Sequence, residues 1–235
     1  WRVALSSVIL ALLSRGRGLL LGREAVTPVV AGGVALAAHF WAWMASLEST
    51  SVLSSTLLVT TTPIGLGLLS RWIPGEPKLG WRGWVGLSVA FVGSAGLLVE
   101  GQRRGGVERV SLEGAGLALL GAAFAGAYWL LGRSARQHAS VAAVSVSMNA
   151  VAAVCLVVAV LWRGERWITG YTPTTWMIWL GLALCSQLIG HNGLLWVLKR
   201  WSATTVSVLV LLEPVIATWF AGWFGLASPS VLGWL

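Results

Sequence analysis

The chain has 235 residues, of which 57% are hydrophobic and only 10% charged, with a mean hydropathy of +0.80. A soluble domain carries about 25% charged residues, because a water-facing shell needs ionic groups to stay dispersed; this composition excludes an ordinary soluble fold. The formal charge is +8, from sixteen Lys and Arg against eight Glu and no Asp, but the basic residues sit in short clusters between apolar runs and form no nucleic-acid-binding stripe.

A partial span at 1–14 opens the chain, without the basic leader of a signal peptide. Seven apolar runs follow, at about 25–47, 50–72, 83–100, 113–131, 139–162, 174–198 and 202–226, and a further partial span lies at 229–235. Each run approaches the roughly 20 residues that a helix needs to cross the hydrocarbon core. A helix satisfies its own backbone hydrogen bonds in lipid, and no run shows the strict alternation of a barrel strand. The expectation is an all-α membrane protein, a polytopic helix bundle that opens and closes inside apolar sequence.

Trp72, Trp81, Trp84, Trp162, Trp167, Tyr171, Trp176 and Trp201 fall near span ends, as interfacial belts do. Gly114, Ala118, Ala122 and Gly126 recur at four-residue spacing, as do Gly86, Ala90 and Ser94; such faces let helices pack closely. Cys155 and Cys185 lie inside apolar runs without metal-type spacing and read as packing residues. Alternate loops carry ten basic residues (Arg15, Arg17, Arg23, Arg71, Lys78, Arg82, Arg133, Arg136, Lys199, Arg200) against five (Arg103, Arg104, Arg109, Arg163, Arg166), which predicts the first set to be cytoplasmic. Glu76 and Glu165 read as solvated loop residues.

One pattern occurs twice, from His39 to Trp72 and from His191 to Trp223. An offset of 151 pairs Ser51 with Ser202, Pro63 with Pro214 and Trp72 with Trp223, and the two histidines pair after a one-residue gap. Each copy runs from a helix through a Ser/Thr-rich joint into a Pro-bearing helix. An odd number of helices between the copies makes the units face opposite ways in the membrane, a transporter signature.

The segments STSVLSSTLLVTTTPIGLGLLSRWIPGEPKLGWRGWVGLSVAFVGSAGLLVEG, GAGLALLGAAFAGAYWLLGRSAR and RWSATTVSVLVLLEPVIATWFAGWFGLASPSVLGWL resemble the drug/metabolite transporter superfamily, in particular its EamA-type members. That resemblance implies two inverted five-helix repeats. Residues 1–105 form the first, lacking its first helix; residues 106–235 form the second, its last helix truncated. The Gly75-Glu76 turn of the first copy has no counterpart at Leu226-Ala227-Ser228-Pro229.

Within this frame Glu213 is the sharpest site candidate, because a carboxylate at mid-span beside Pro214 is costly unless paired, protonated or water-exposed. It suits a cationic group or a carried proton; the competing reading is a structural Glu hydrogen-bonded across the bundle, and the resemblance, in which a Glu-Pro pair is common here, favours the latter. His39 and His191 can relay protons, or simply pack; with no third ligand evident they make no metal site. Gln187 and His191 are four apart on one helix face and suit a cavity lining, with Asn149 and Asn192 as further intramembrane amides. Trp41, Trp43, Tyr128 and Trp196 are candidate walls of an aromatic pocket, against the plainer reading of lipid-facing or interfacial aromatics. Thr60, Thr61, Thr62 and Pro63 form a polar, helix-breaking stretch suited to a hinge or a ligand contact, or to a packing kink.

No ATP-binding motif or other cofactor signature occurs, no Asp is available for a Ser/His/Asp set, and no H-E-x-x-H is present. The function that follows is an inner-membrane secondary transporter, an exporter of a small organic metabolite that is amino-acid-like or amphipathic and drug-like, working by alternating access. The alternatives are a non-transporting scaffold subunit and a membrane-embedded lipid-modifying enzyme; isolated polar residues at mid-depth disfavour the enzyme. The expected partners are the lipid bilayer and a small-molecule substrate, not nucleic acid, and a homodimer is compatible with the sequence.

Overall fold

The computed structural model describes residues 1–103, 111–165, 168–212 and 216. Its helices are α1 (Arg2–Leu13), α2 (Arg23–Ser46), α3 (Val52–Val59), α4 (Thr62–Leu69), α5 (Trp81–Arg103), α6 (Leu112–His138) and α7 (Val141–Trp162), then α8 (Pro173–Gly181), a π-helical segment (Leu182–His191), α9 (Asn192–Val197) and α10 (Ala203–Val210). Among the described residues, four helices are long and apolar enough to cross a membrane: α2, α6, α7 and the continuous span Pro173–Val197. The chain is an all-α, multi-pass membrane protein.

Short polar residues start these helices where the sequence breaks its apolar runs. Ser51 accepts from the Ser54 N–H at 3.1 Å, Ser140 from Ala143 at 3.0 Å and Thr172 from Thr175 at 3.2 Å. Each side chain satisfies a donor that the first turn leaves without an intrahelical partner.

The run expected over 50–72 is two helices, because Pro63 has no N–H and crowds the preceding turn. The Thr60, Thr61 and Thr62 hydroxyls donate back to the carbonyls of Leu57, Leu58 and Val59 at 2.8, 2.7 and 2.8 Å. The break therefore carries its own hydrogen-bond partners, which apolar surroundings require.

The chain divides into two compact units, residues 1–41 with 124–203, and residues 42–123 with 204–235. Each draws on chain from both sides of residue 105, so compact units and sequence repeats are different divisions. In the first unit α1 packs on α7 and on the π-helical segment, and α7 on α9. A small residue sets the approach of α2 to α7: a Cβ at Gly33 would lie 2.6 Å from the Val151 Cβ and 2.8 Å from the Met148 carbonyl oxygen. Helices in lipid have no hydrophobic drive toward one another, so such contact is what binds them.

In the second unit α3 packs on α5. Of the two small-residue faces, Gly114, Ala118, Ala122 and Gly126 are buried, whereas Gly86 is exposed. The Thr62 hydroxyl also reaches the Ala122 carbonyl, at 3.1 Å.

Two charged residues depart from expectation. Glu76 is buried, not solvated: Gly75, at φ +79°, turns the chain, and the Glu76 carboxylate accepts from the Thr204 N–H at 3.1 Å and the Thr204 hydroxyl at 2.9 Å. It supplies an acceptor and a negative charge to the first turn of α10, both favourable at a helix N-terminus. Arg136 lies in the last turn of α6, not in a loop, and is buried in the first unit, donating from Nε to the Leu195 carbonyl at 3.1 Å and from Nη1 to that of Ala139. Glu165 is exposed and paired with Arg163 at 2.8 Å, as a loop residue should be.

Trp72, Trp81 and Trp162 are exposed at helix ends, where an interfacial belt places them.

Candidate substrate site

The first unit holds a buried polar cluster. Gln187 and His191 come from the π-helical segment, Asn192 from the start of α9, Asn149 from α7, Tyr128 from α6, His39 and Phe40 from α2, and Arg2 from α1. The four long apolar helices contribute their residues at least five positions from either end, and Arg2 is the first residue of α1.

Arg2 stands at its centre. Its Nε donates to the Gln187 Oε1 at 3.2 Å, its Nη2 lies 3.4 Å from the His191 Nε2, and its guanidinium carbon sits 3.9 Å from the centroid of the Phe40 ring. The Gln187 amide donates to the Asn149 Oδ1 at 2.9 Å, and the Asn149 amide to the Asn192 Oδ1 at 3.4 Å. Gln187 and Asn149 are fully buried. A guanidinium in an apolar helix is tolerable only with such company, since charge among apolar helices is costly.

Around this core lie aromatic and imidazole rings. The His39 and His191 centroids are 6.5 Å apart, Phe40 meets His191 edge-on at 5.4 Å, and Tyr128 lies 5.9 Å from His191. Of eight buried side-chain polar atoms without a hydrogen-bond partner among the described residues, three belong to this cluster: Tyr128 Oη, His191 Nδ1 and Asn192 Nδ2. Buried polar groups are overwhelmingly satisfied in native proteins, so a concentration of exceptions marks where something else binds.

Of the residues singled out in sequence, six meet here: His39, His191, Gln187, Tyr128, Asn149 and Asn192. Trp43 and Thr62 belong to the second unit, and Thr62 is occupied by backbone carbonyls. Glu213 lies outside the described residues. Trp41 and Trp196 are exposed. A separate cavity of about 260 Å³ between α1, α7 and α8 has aromatic walls, but they are Trp1, Tyr171 and Trp179. Arg2 is the residue that sequence reasoning missed; it opens α1 as its first residue, and no local pattern marked it. Among the described residues no three His, Cys, Asp or Glu side chains group to hold a metal ion.

Apolar helices long enough to cross a bilayer, packed around a buried polar cluster, define a multi-pass membrane protein. The profile of the EamA-like transporter family matches residues 112–235, and the chain belongs to that family, within the drug/metabolite transporter superfamily. It is a family of transporters, not of enzymes. One solved crystal structure, of a protein described no further, superposes on 99% of this chain and 79% of its own, with a TM-score of 0.80 at 20% identity, a likeness of fold alone. No curated protein matches in sequence.

Proposed function

We propose that this chain is the transporting core of an inner-membrane secondary exporter that moves a small organic metabolite, amino-acid-like or amphipathic, through the Arg2–Gln187–His191 cluster. The observation that carries this reading is the three buried, unpartnered polar atoms grouped with a guanidinium inside a unit built from apolar spans. A scaffold packed for stability alone would have apolar side chains there, since unsatisfied polar groups cost roughly 1–3 kcal/mol each. Alternating access follows from two inverted repeats, one rocking against the other. His39 and His191, which the sequence repeat pairs, are placed to respond to substrate or proton from both copies.

The test is uptake into proteoliposomes by the full-length protein, with pooled amino acids, nucleosides and cationic amphipaths, with and without a pH gradient. Saturable uptake of one class is expected. A well-folded preparation that moves nothing in any pool would overturn the transporter reading.

A further inference from the structure

The polar cluster has a direction. Arginine only donates hydrogen bonds, so the Gln187 atom facing Arg2 Nε must be its oxygen. The Gln187 nitrogen then points at Asn149, whose oxygen accepts, and the Asn149 nitrogen points at the Asn192 oxygen. The last member, Asn192 Nδ2, is left as a donor with no partner among the described residues. A second branch obeys the same logic. Arg2 Nη2 donates to His191 Nε2, so the neutral ring carries its proton on Nδ1, which again is a buried donor without a partner. The Tyr128 hydroxyl, on the ring 5.9 Å from His191, adds a third donor, an O–H whose oxygen can also accept.

Two chains of hydrogen bonds thus start at one guanidinium and end in donors. Bonds aligned head to tail polarise one another, so each terminal N–H is a stronger donor than an isolated amide or imidazole. Asn192 Nδ2 and His191 Nδ1 offer a cationic ligand no acceptor, and the Tyr128 oxygen alone of the three could receive one of its protons.

We infer that the site takes the anionic end of its ligand, a carboxylate, held by Asn192 Nδ2, His191 Nδ1 and the Tyr128 hydroxyl, with Arg2 as the positioning residue that fixes their polarity. This deepens the transport reading and rests on it. It narrows the substrate to organic acids and carboxylate-bearing zwitterions and rejects amphipathic cations. Rejection of the uncharged isostere follows as well, since charge-assisted hydrogen bonds are roughly twice as strong as neutral ones.

The experiment compares small carboxylates with their own primary amides in proteoliposomes of the full-length protein, beside cationic amphipaths. Thermal stabilisation of the detergent-solubilised protein by the same compounds gives a binding readout independent of transport. Carboxylates should be preferred over their amides by tenfold or more in both. Transport or stabilisation by amides or cations in preference to carboxylates would overturn the inference and leave the transporter reading intact. No transport and no stabilisation by any compound would overturn both.

Variants separate the ligand role from folding. Tyr128→Phe removes a hydroxyl that has no partner among the described residues, so the fold should keep its thermal stability while carboxylate preference falls several-fold. Asn192→Asp puts an acceptor at the end of the relay and should abolish carboxylate stabilisation. Arg2→Lys, still only a donor, should retain more of the preference than Arg2→Gln, whose amide can present either end. Unchanged preference in Tyr128→Phe and Asn192→Asp would sink the assignment.

Discussion

Replacing Glu76 by Ala removes the one oxygen, Oε2, that accepts both hydrogen bonds from the first turn of α10 in the second unit. The Glu76 carboxylate takes the Thr204 N–H at 3.1 Å and the Thr204 hydroxyl at 2.9 Å, and Thr204 itself is 1% exposed. Hydrogen bonds to a charged group contribute about 1.5–3 kcal/mol each, and a buried donor left without a partner costs about 1–3 kcal/mol. Loss of a helix N-cap alone costs about 0.5–2 kcal/mol. These overlap and do not add, so the expected loss is about 2–4 kcal/mol. For a chain of this length each kcal/mol moves the melting midpoint by roughly 2–4 °C, giving a fall of roughly 5–15 °C. Glu76→Gln keeps an acceptor without the charge and should lose about half as much. The assay is thermal unfolding in detergent micelles, on Glu76→Ala, Thr204→Val and the pair. A direct bond predicts that the double variant loses about 1 kcal/mol or more less than the sum of the singles. Effects that add within about 0.5 kcal/mol would refute it, because uncoupled sites behave that way.

Three further outcomes follow from other contacts. Gly33→Ala drives a methyl into Val151 and the Met148 carbonyl and should cost about 1–3 kcal/mol, while Gly65→Ala, with nothing within 4 Å, should be neutral or gain up to about 1 kcal/mol in helix propensity; melting midpoints of the two check this. Arg136→Met frees the Leu195 and Ala139 carbonyls and should cost roughly 2 kcal/mol, read as a lower midpoint and faster proteolysis near 136–139, with Arg136→Lys in between. Glu213→Gln in the full-length protein should abolish transport while leaving insertion and melting unchanged; retained transport removes Glu213 from the mechanism.

Most of the helices were legible because bilayer-length apolar runs are a strong, local signal. The 139–162 and 174–198 expectations differ from α7 and the Pro173–Val197 span by a residue or two. The kink before Pro63 was legible too, from three consecutive threonines and a proline. What failed was inference across distance. Gln187 and Asn149 are 38 residues apart, and no local pattern couples them. Arg2 was left out of the count of basic residues, because its meaning depends on α2 and the π-helical segment packing around it. Glu76 read as solvated because its window, Pro-Gly-Glu-Pro, is that of an exposed turn; its partner, Thr204, is 128 residues away. Arg136 counted as a sidedness charge for the same reason.

The π-helical turn has a bearing on the relay that α-helical reasoning conceals. Along an α-helix, residues five apart diverge by roughly 140°, at 3.6 residues per turn, so Gln187 and Asn192 would look in different directions. In the segment Leu182–His191 the repeat is one residue longer, and the Asn192 N–H bonds the Gln187 carbonyl directly. The two side chains therefore diverge less than along an α-helix, and a single amide, Asn149, bonds both from the facing helix. Winding this stretch back to α would turn Asn192 away from the Gln187 face without changing a side chain, so the phase of one helical turn sets whether the relay from Arg2 closes.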